Sequence, residues 1–253
     1  FIAQGEILNG ITSPIFSLIG YSSKKSLKIL KNTIQSIIRN KSQILEMSLT
    51  EAEITKLASN TYETMRVSFV NMIAQISNEI GNTNVDKITS ALTFRFERRF
   101  FKGAAPYGGP CWPRDNIALS SLIKQINLND NIPAAVDNFN NYHSKYLKKF
   151  LKKILKKKKF KLGILGLAYK IGTPLITKSF SIDLIKSILP YSKNITGFDP
   201  LVDINVEKKI NNKKFKLTNN IKEVKKCDII IITQPFPTIN YGIFRKKIII
   251  DLW

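Results

Sequence analysis

The segment from Ala105 to Asn116, APYGGPCWPRDN, places the strongest local constraint on the fold. Its three prolines and two glycines exclude a helix interior and a regular strand, so the segment predicts a rigid loop. Cys111 lies at the centre of this loop, and Arg114 follows three residues later. Because a nearby cation favours the nucleophilic thiolate, Cys111 is a candidate nucleophile. The alternative is a small buried side chain in a tight turn, and it stays open.

Apolar patterns on both sides of the loop predict an α/β protein. Residues 13–20 and 44–48 have the composition of strands, and a helix from Ser22 or Ser23 to Ile38 separates them. This order predicts a βαβ remnant of an N-terminal Rossmann-like domain over residues 1–48. Residues 49–147 are predicted to form a central helical dimerisation segment, with helices at 51–80, 84–91, 116–126 and 133–155.

Residues 160–253 alternate strands with helices, which predicts a Rossmann-like domain with a parallel sheet. The predicted elements are strands at 160–168, 195–200, 224–233 and 248–252 and a helix at 179–189. Gly163 and Gly166 do not complete a G-x-G-x-x-G turn, and Asp199 follows Gly166 by 33 residues rather than about 20. The turn therefore predicts a nucleotide diphosphate as readily as NAD, with Lys170 adding a charge near the phosphates.

The chain carries 40 Lys and Arg residues against 18 Asp and Glu residues, and the densest lysine run lies at 148–159. A basic amphipathic helix of this kind suits nucleic acid or an anionic membrane. We favour a solvated helix end and linker whose apolar stripe packs on its own protein, and we predict no nucleic-acid or membrane partner. No apolar run reaches the ~18 residues of a membrane span. His143, the only histidine, has no cluster of metal ligands around it, so no metal site is predicted.

Two cysteines provide no disulfide framework, which predicts a cytoplasmic protein. Phe1 rather than Met begins the sequence, which predicts a piece of a longer chain.

Tyr107 to Asp115, YGGPCWPRD, resembles the catalytic cysteine loop of the nucleotide-sugar 6-dehydrogenases, of which the UDP-glucose 6-dehydrogenases are the best known. Other segments resemble the same family in the same order, so the resemblance covers essentially the whole chain. They are FIAQG at 1–5, EITKLASN at 53–60, GLAYK at 166–170, TGFDP at 196–200 and IDLW at 250–253.

The resemblance implies NAD-dependent oxidation of a nucleotide sugar, with UDP-glucose the expected substrate, at C6 to the uronic acid. Cys111 is implied to form a thiohemiacetal and then a thioester. Lys56 and Asn60 are implied to stabilise the oxyanion, and Asp115 to position the hydrolytic water. Lys56 and Asn60 are four residues apart on a predicted helix, so both side chains can point at one oxygen.

The resemblance also implies the binding residues and a homodimer, in which Arg95 reaches the substrate of the partner subunit. The implied substrate contacts are Gln4, Gly5, Arg95, Phe100, Tyr107, Gly108 and Lys170, and the implied NAD contacts are Cys111 and Arg114. The UDP-sugar is expected in the C-terminal domain over residues 160–253.

Three departures from the family pattern bear on this reading. Gln4 replaces a glutamate proposed as the base for thioester hydrolysis, and an amide cannot accept a proton at neutral pH. Thr177 and Lys178 replace an Arg-Glu pair whose arginine touches the cofactor. The NAD-binding front of the N-terminal domain is expected to be missing. A non-catalytic nucleotide-sugar- or polyanion-binding remnant of a decayed gene is therefore the alternative function.

Overall fold

The first part of the chain is a parallel strand–helix–strand unit. The computed structural model describes residues 6–96, 104–156 and 159–252. After α1 (Ile7–Thr12) come β1 (Phe16–Tyr21), α2 (Lys24–Ile37) and β2 (Gln43–Ser48). The two strands pair in parallel from Phe16 opposite Gln43 to Tyr21 opposite Ser48. Ser23 caps α2 by accepting a hydrogen bond from the Ser26 N–H. The βαβ prediction is confirmed, whereas α1 was not predicted.

A single long helix, α3 (Leu49–Ile80), begins at a capping box. The Ser48 hydroxyl accepts from the Glu51 N–H at 3.2 Å, and the Glu51 carboxylate accepts from the Ser48 N–H at 2.7 Å. These reciprocal bonds satisfy two N–H groups that the first helical turn leaves without partners. The helix ends at Gly81, whose φ of 72° suits a residue without a Cβ. Both ends agree with the sequence prediction to within two residues.

Among the residues that the structure describes, the central segment has three more helices: α4 (Val85–Phe96), α5 (Trp112–Gln125) and α6 (Ile132–Leu155). Helices α3, α5 and α6 pack against one another. The prediction that the loop extends to Asn116 was wrong, because α5 begins directly after Cys111. Pro113 lies in its first turn, where a missing N–H costs no helical hydrogen bond. Helix α4 also runs farther than the predicted end at Ala91.

The C-terminal part is a five-stranded parallel sheet in the order β5-β4-β3-β6-β7. Its strands are β3 (Phe160–Leu165), β4 (Ser192–Phe198), β5 (Phe215–Thr218), β6 (Ile229–Ile232) and β7 (Ile248–Asp251). The helices between them are α7 (Phe180–Ile188), α8 (Asn205–Ile210) and α9 (Ile221–Val224). The strand order reverses at β3, which is the Rossmann-like arrangement that the alternating pattern predicted.

The central strands of this sheet are buried on both faces. In β6, Ile229 and Ile231 belong to one core and Ile230 and Ile232 to the other, because successive side chains of a strand point to opposite faces. The sequence prediction missed β5 and α8, which are short. It also extended β6 too far, since Val224 ends a helical turn and only residues 229–232 pair in the sheet.

The lysine run is the end of α6. Leu151 and Leu155 are buried in the C-terminal core, while Lys153 is exposed. The ammonium groups of Lys148 and Lys152 lie 6.0 Å and 5.8 Å from the ring centres of Phe180 and Tyr191. The predicted packing of the apolar stripe on its own protein is thereby confirmed. Across the described residues, none of the helices has both the length and the hydropathy of a membrane span.

Candidate active site

Cys111 is the residue directly before the first turn of α5, and its side chain is exposed. The Asp115 N–H donates to the Cys111 carbonyl at 2.9 Å, so one helical turn brings the two residues together. A helix start presents free N–H groups and a partial positive charge, which favour an anion. The position and exposure suit a nucleophile better than they suit a buried turn residue.

Asp115 is the centre of the polar cluster beside Cys111 and is only 3% exposed. Its Oδ2 accepts from the Lys56 ammonium at 3.1 Å and from the Asn60 amide at 2.6 Å. Its Oδ1 accepts from the Arg114 guanidinium at 2.9 Å. Lys56 and Asn60 share one face of α3 as predicted, and in the structure both donate to the same oxygen of Asp115, whereas their convergence on a substrate oxyanion stays a prediction.

Opposing effects act on the charge of Asp115. Burial favours the neutral acid, but the hydrogen bonds from Arg114, Lys56 and Asn60 and the charge of Lys56 outweigh it, and they hold the pKa of Asp115 below its usual value. Asp115 therefore remains a carboxylate at neutral pH. The hydrogen bond with Asp115 and the charge of its carboxylate also raise the pKa of the Arg114 guanidinium. The implied roles of the four residues in catalysis stay predictions.

The cysteine loop packs against the segment that follows β3, residues 166–179. A Cβ at Gly108 would lie 2.0 Å from the Lys178 carbonyl oxygen, and a Cβ at Gly109 would lie 2.5 Å from the Tyr169 ring. The Gly109 N–H donates to the Thr177 carbonyl at 3.1 Å. Only glycine allows this approach, which explains the Gly-Gly pair. The candidate site therefore lies where the central helices meet the C-terminal sheet.

Helix α6 holds the other side of the loop. The Tyr107 hydroxyl donates to the Asp137 carboxylate at 2.5 Å, and the Tyr107 N–H and C=O both bond the Asn140 amide. Burial, followed by the hydrogen bond and charge of Asp137, raises the pKa of the Tyr107 phenol, which stays protonated. Every polar group of Tyr107 is thus engaged within the protein, while its predicted role as a substrate contact stays a prediction.

A buried polar network supports this arrangement, and the sequence analysis missed it. The Asn116 amide, with no exposed surface, donates to the Asp137 carboxylate at 2.9 Å and to the Thr64 hydroxyl at 3.1 Å. It accepts from the Thr61 hydroxyl at 2.8 Å. One signal was available in the sequence: Thr61 and Thr64 are polar residues three apart on a helix that is otherwise rich in apolar side chains.

The turn after β3 forms the crevice where nucleotides bind in sheets of this topology. Gly166 adopts a φ of 97°, and Lys170, half-buried, follows in the same segment. The N–H groups of Leu167 and Ala168 donate to the Asp199 carboxylate at 2.9 Å and 3.1 Å. Asp199 therefore occupies N–H groups that a Rossmann turn would offer to a phosphate, which corrects the expectation that these groups are free for a nucleotide.

The described residues do not form an NAD phosphate site. Asp199 occupies the turn of the C-terminal sheet, and the connection from β1 to α2 is Ser22 and Ser23, without glycine. Arg114, an implied NAD contact, has an exposed side chain at the start of α5. Arg95 lies in the last turn of α4. Gln4, Gly5 and Phe100 lie outside the described residues.

Two parts of the chain match models of one known protein family. Residues 50–142 match the central domain of the UDP-glucose/GDP-mannose dehydrogenase family, and residues 163–253 match its UDP-binding domain. The chain belongs to the UDP-glucose/GDP-mannose dehydrogenase family. It is 27% identical to a UDP-glucose 6-dehydrogenase of Rickettsia bellii over its whole length, which covers 61% of that protein. It is 24% identical to UDP-glucose 6-dehydrogenase TuaD of Bacillus subtilis, covering 79% of this chain and 43% of TuaD.

Solved structures of this dehydrogenase family share the fold. A UDP-glucose dehydrogenase from Pyrobaculum islandicum matches all of this chain with a TM-score of 0.85 and 21% identity, over 58% of its own length. A UDP-D-ManNAc dehydrogenase from Pyrococcus horikoshii matches 99% of this chain with a TM-score of 0.80 and 22% identity, over 59% of its length. The chain thus spans about three fifths of the length of the relatives that it matches along its whole sequence.

Proposed function

We propose that this chain is the central and UDP-binding part of an NAD-dependent dehydrogenase that oxidises C6 of UDP-glucose to the uronic acid. The convergence of Lys56 and Asn60 on Asp115, one helical turn from the exposed Cys111, carries the proposal. Such a cluster combines a nucleophile, donors for a developing oxyanion and a carboxylate that can hold water. The two free thiols suit a cytoplasmic enzyme.

The chemistry follows from these groups. The Cys111 sulfur adds to the C6 aldehyde, and the ammonium of Lys56 and the amide of Asn60 stabilise the resulting oxyanion. Loss of a hydride from this thiohemiacetal gives a thioester, and water then releases the carboxylate and restores the thiol. Asp115 holds Lys56 and Asn60 in place and accepts a hydrogen bond from the hydrolytic water. NAD, when bound, accepts the hydride in each of the two oxidations.

A homodimer is part of the proposal. On α3 many large apolar side chains are exposed, while polar side chains such as Thr64 and Asn71 are buried against α5 and the residues around the cysteine loop. The exposed large apolar residues of α3 are Leu49, Ile54, Tyr62, Met65, Phe69, Met72, Ile76 and Ile80. From Tyr62 to Ile76 they recur every three or four residues, so they form one stripe that a second copy of the helix can cover.

Cysteine substitution in the full-length protein tests the mechanism. We expect Cys111→Ser to stop release of the uronic acid while leaving binding of UDP-glucose intact, because serine lacks the nucleophilic thiolate. Cys227→Ser is the matched control, since Cys227 is buried in the C-terminal core and should leave turnover unchanged. Full turnover by Cys111→Ser would remove Cys111 from the mechanism.

A panel of nucleotide sugars tests the proposed substrate and distinguishes an enzyme from the non-catalytic alternative. Turnover of UDP-glucose faster than of UDP-N-acetylmannosamine or GDP-mannose supports the proposed substrate. If wild-type full-length protein binds UDP but oxidises none of these sugars, the non-catalytic alternative replaces the enzyme.

A further inference from the structure

Helix α6 contacts the cysteine loop through three residues at three-residue intervals, Asp137, Asn140 and His143. This spacing keeps the three side chains on adjacent turns of one helix surface. The buried His143 binds Ala104, the residue directly before the loop: its Nε2–H donates to the Ala104 carbonyl at 2.9 Å, while its Nδ1 accepts from the Gln75 amide at 2.5 Å. Because a carbonyl can only accept, these partners fix the histidine tautomer.

Asn140 makes the most specific contact of the three. Its Oδ1 accepts from the Tyr107 N–H at 3.0 Å, and its Nδ2 donates to the Tyr107 carbonyl at 3.0 Å. Two residues that lie opposite each other on antiparallel strands can exchange the same pair of N–H and C=O hydrogen bonds. Here the side-chain amide of Asn140 takes the place of the second strand. The contact fixes both the position and the orientation of the Tyr107 peptide units.

Asp137 bonds the chain on both sides of Cys111. One of its oxygens, Oδ1, accepts from the Tyr107 hydroxyl at 2.5 Å and from the Asn116 amide at 2.9 Å. Tyr107 lies four residues before Cys111, and Asn116 lies five residues after it. The carboxylate therefore sets the distance between the entry of the loop and the first turn of α5.

The residues between Tyr107 and Cys111 include Gly108 and Gly109, and Gly109 has a φ of 84°. Glycine has the greatest backbone freedom of any residue, so the contacts of Tyr107 at one end of this stretch add to those that Thr177 and Tyr169 make with Gly109. We propose that Asn140, assisted by Asp137, is a positioning residue for Cys111. The assignment depends on the proposed function only for the role of the thiol, since the contacts themselves are independent of any reaction.

The test compares Asn140→Ala with Asn141→Ala in the full-length protein. Asn141 is the matched control because it is the next residue on α6, has the same side chain and is exposed. We expect Asn140→Ala to lower kcat about tenfold to a hundredfold, as misplacement of a reacting group by about 1 Å does. The KM for the nucleotide sugar should change less than kcat, because Asn140 holds the cysteine loop and not the predicted nucleotide crevice after β3. Asn141→Ala should match the wild type.

A second measurement needs no turnover. The rate of alkylation of Cys111 by iodoacetamide at pH 7, followed on its peptide by mass spectrometry, should fall about threefold or more in Asn140→Ala. The physical reason is that a loose loop holds the thiol at the start of α5 for less of the time. Tyr107→Phe, which removes the hydroxyl that bonds Asp137 and Asn116 but keeps the backbone bonds to Asn140, should give a smaller change in the same direction and serves if Asn140→Ala does not fold.

Equal alkylation rates and equal kcat in wild type and Asn140→Ala would overturn the assignment. Equal losses in Asn140→Ala and Asn141→Ala would also overturn it, because they would reflect the stability of α6 alone. A wild-type protein without dehydrogenase activity would contradict the proposed function, and the alkylation rates would still decide whether Asn140 positions the thiol.

Discussion

Asp115 is the residue through which the other site residues are connected. Three side chains from two helices donate to its carboxylate, and its own N–H bonds the Cys111 carbonyl. Removing the charge would leave the Lys56 ammonium without this ion pair and weaken the other two hydrogen bonds. A charge-assisted hydrogen bond contributes about 1.5–3 kcal/mol, which is more than a neutral one contributes.

We predict that Asp115→Asn lowers the free energy of unfolding by about 1–3 kcal/mol at neutral pH. Because the folded pKa of Asp115 lies below its unfolded value, its contribution is complete above the unfolded pKa of about 3.9 and is lost as the pH falls through the folded pKa. The difference between wild type and variant in urea unfolding should therefore be constant from pH 7 to pH 5 and shrink below about pH 4.

Asp130→Asn is the control for this experiment, because Asp130 is exposed in the connection between α5 and α6. It should change the unfolding free energy by less than about 0.5 kcal/mol. A difference between wild type and Asp115→Asn that grows as the pH falls would contradict the account of the Asp115 charge.

The side chains of helix α3 divide into two different surfaces, one buried and one exposed. Its buried side carries hydroxyl and amide groups, of which those of Thr61, Thr64 and Asn71 bond the Asn116 network and the Ala104 N–H. Its exposed side carries a stripe of apolar side chains, and Phe69 at the middle of the stripe is 45% exposed. A soluble monomer rarely leaves so continuous an apolar surface uncovered, so the element itself argues for a partner helix.

We predict that Phe69→Asp converts a dimer into a monomer in sedimentation velocity at micromolar concentration, because a buried charge without a partner opposes association. Ile204→Asp is the matched control: Ile204 is 59% exposed, precedes α8 and lies outside the stripe, so this variant should remain dimeric. A wild-type protein that sediments as a monomer would exclude the homodimer.

At the scale of the whole molecule, α6 joins the helical segment to the C-terminal sheet. Its early turns carry Asp137 and Asn140 against the cysteine loop, and its last turns bury Leu151 and Leu155 in the C-terminal core. The loop after β3 then contacts Gly108 and Gly109 from the other side. The predicted nucleotide site and the cysteine loop therefore both lie where the helical segment meets the C-terminal sheet.

We predict that the 253-residue chain binds UDP but not NAD in calorimetry. The crevice after β3 keeps Lys170 and belongs to the part of the chain that matches the family's UDP-binding domain, whereas the described residues do not form an NAD phosphate site. Lys170→Ala should weaken UDP binding about tenfold or more, since a hydrogen bond to a charged group contributes about 1.5–3 kcal/mol. Lys222→Ala is the control, because Lys222 is exposed on α9. NAD binding as tight as UDP binding would mean that the C-terminal domain takes a different nucleotide.

The sequence alone determined the elements whose signals are local. The capping residues Ser48 and Glu51, the end at Gly81 and the apolar run of β6 each depend on neighbouring residues, so the α/β order and the long helix were predictable. Helical spacing also placed Lys56 and Asn60 on one face. The cysteine loop was recognisable because its glycines and prolines surround Cys111.

Only the tertiary structure decided which side chains meet across long separations. Asp137 and Asn140 lie about thirty residues from Tyr107 in sequence, and Asp199 lies 31 or 32 residues from the N–H groups that it binds. A sequence pattern assigns polar residues of a helix to its solvent-exposed face. Thr64 and Asn116 are nevertheless buried, because their side chains form hydrogen bonds with each other. Hydrogen-bond pairing of this kind depends on how the helices pack, and a local pattern in the sequence does not contain that information.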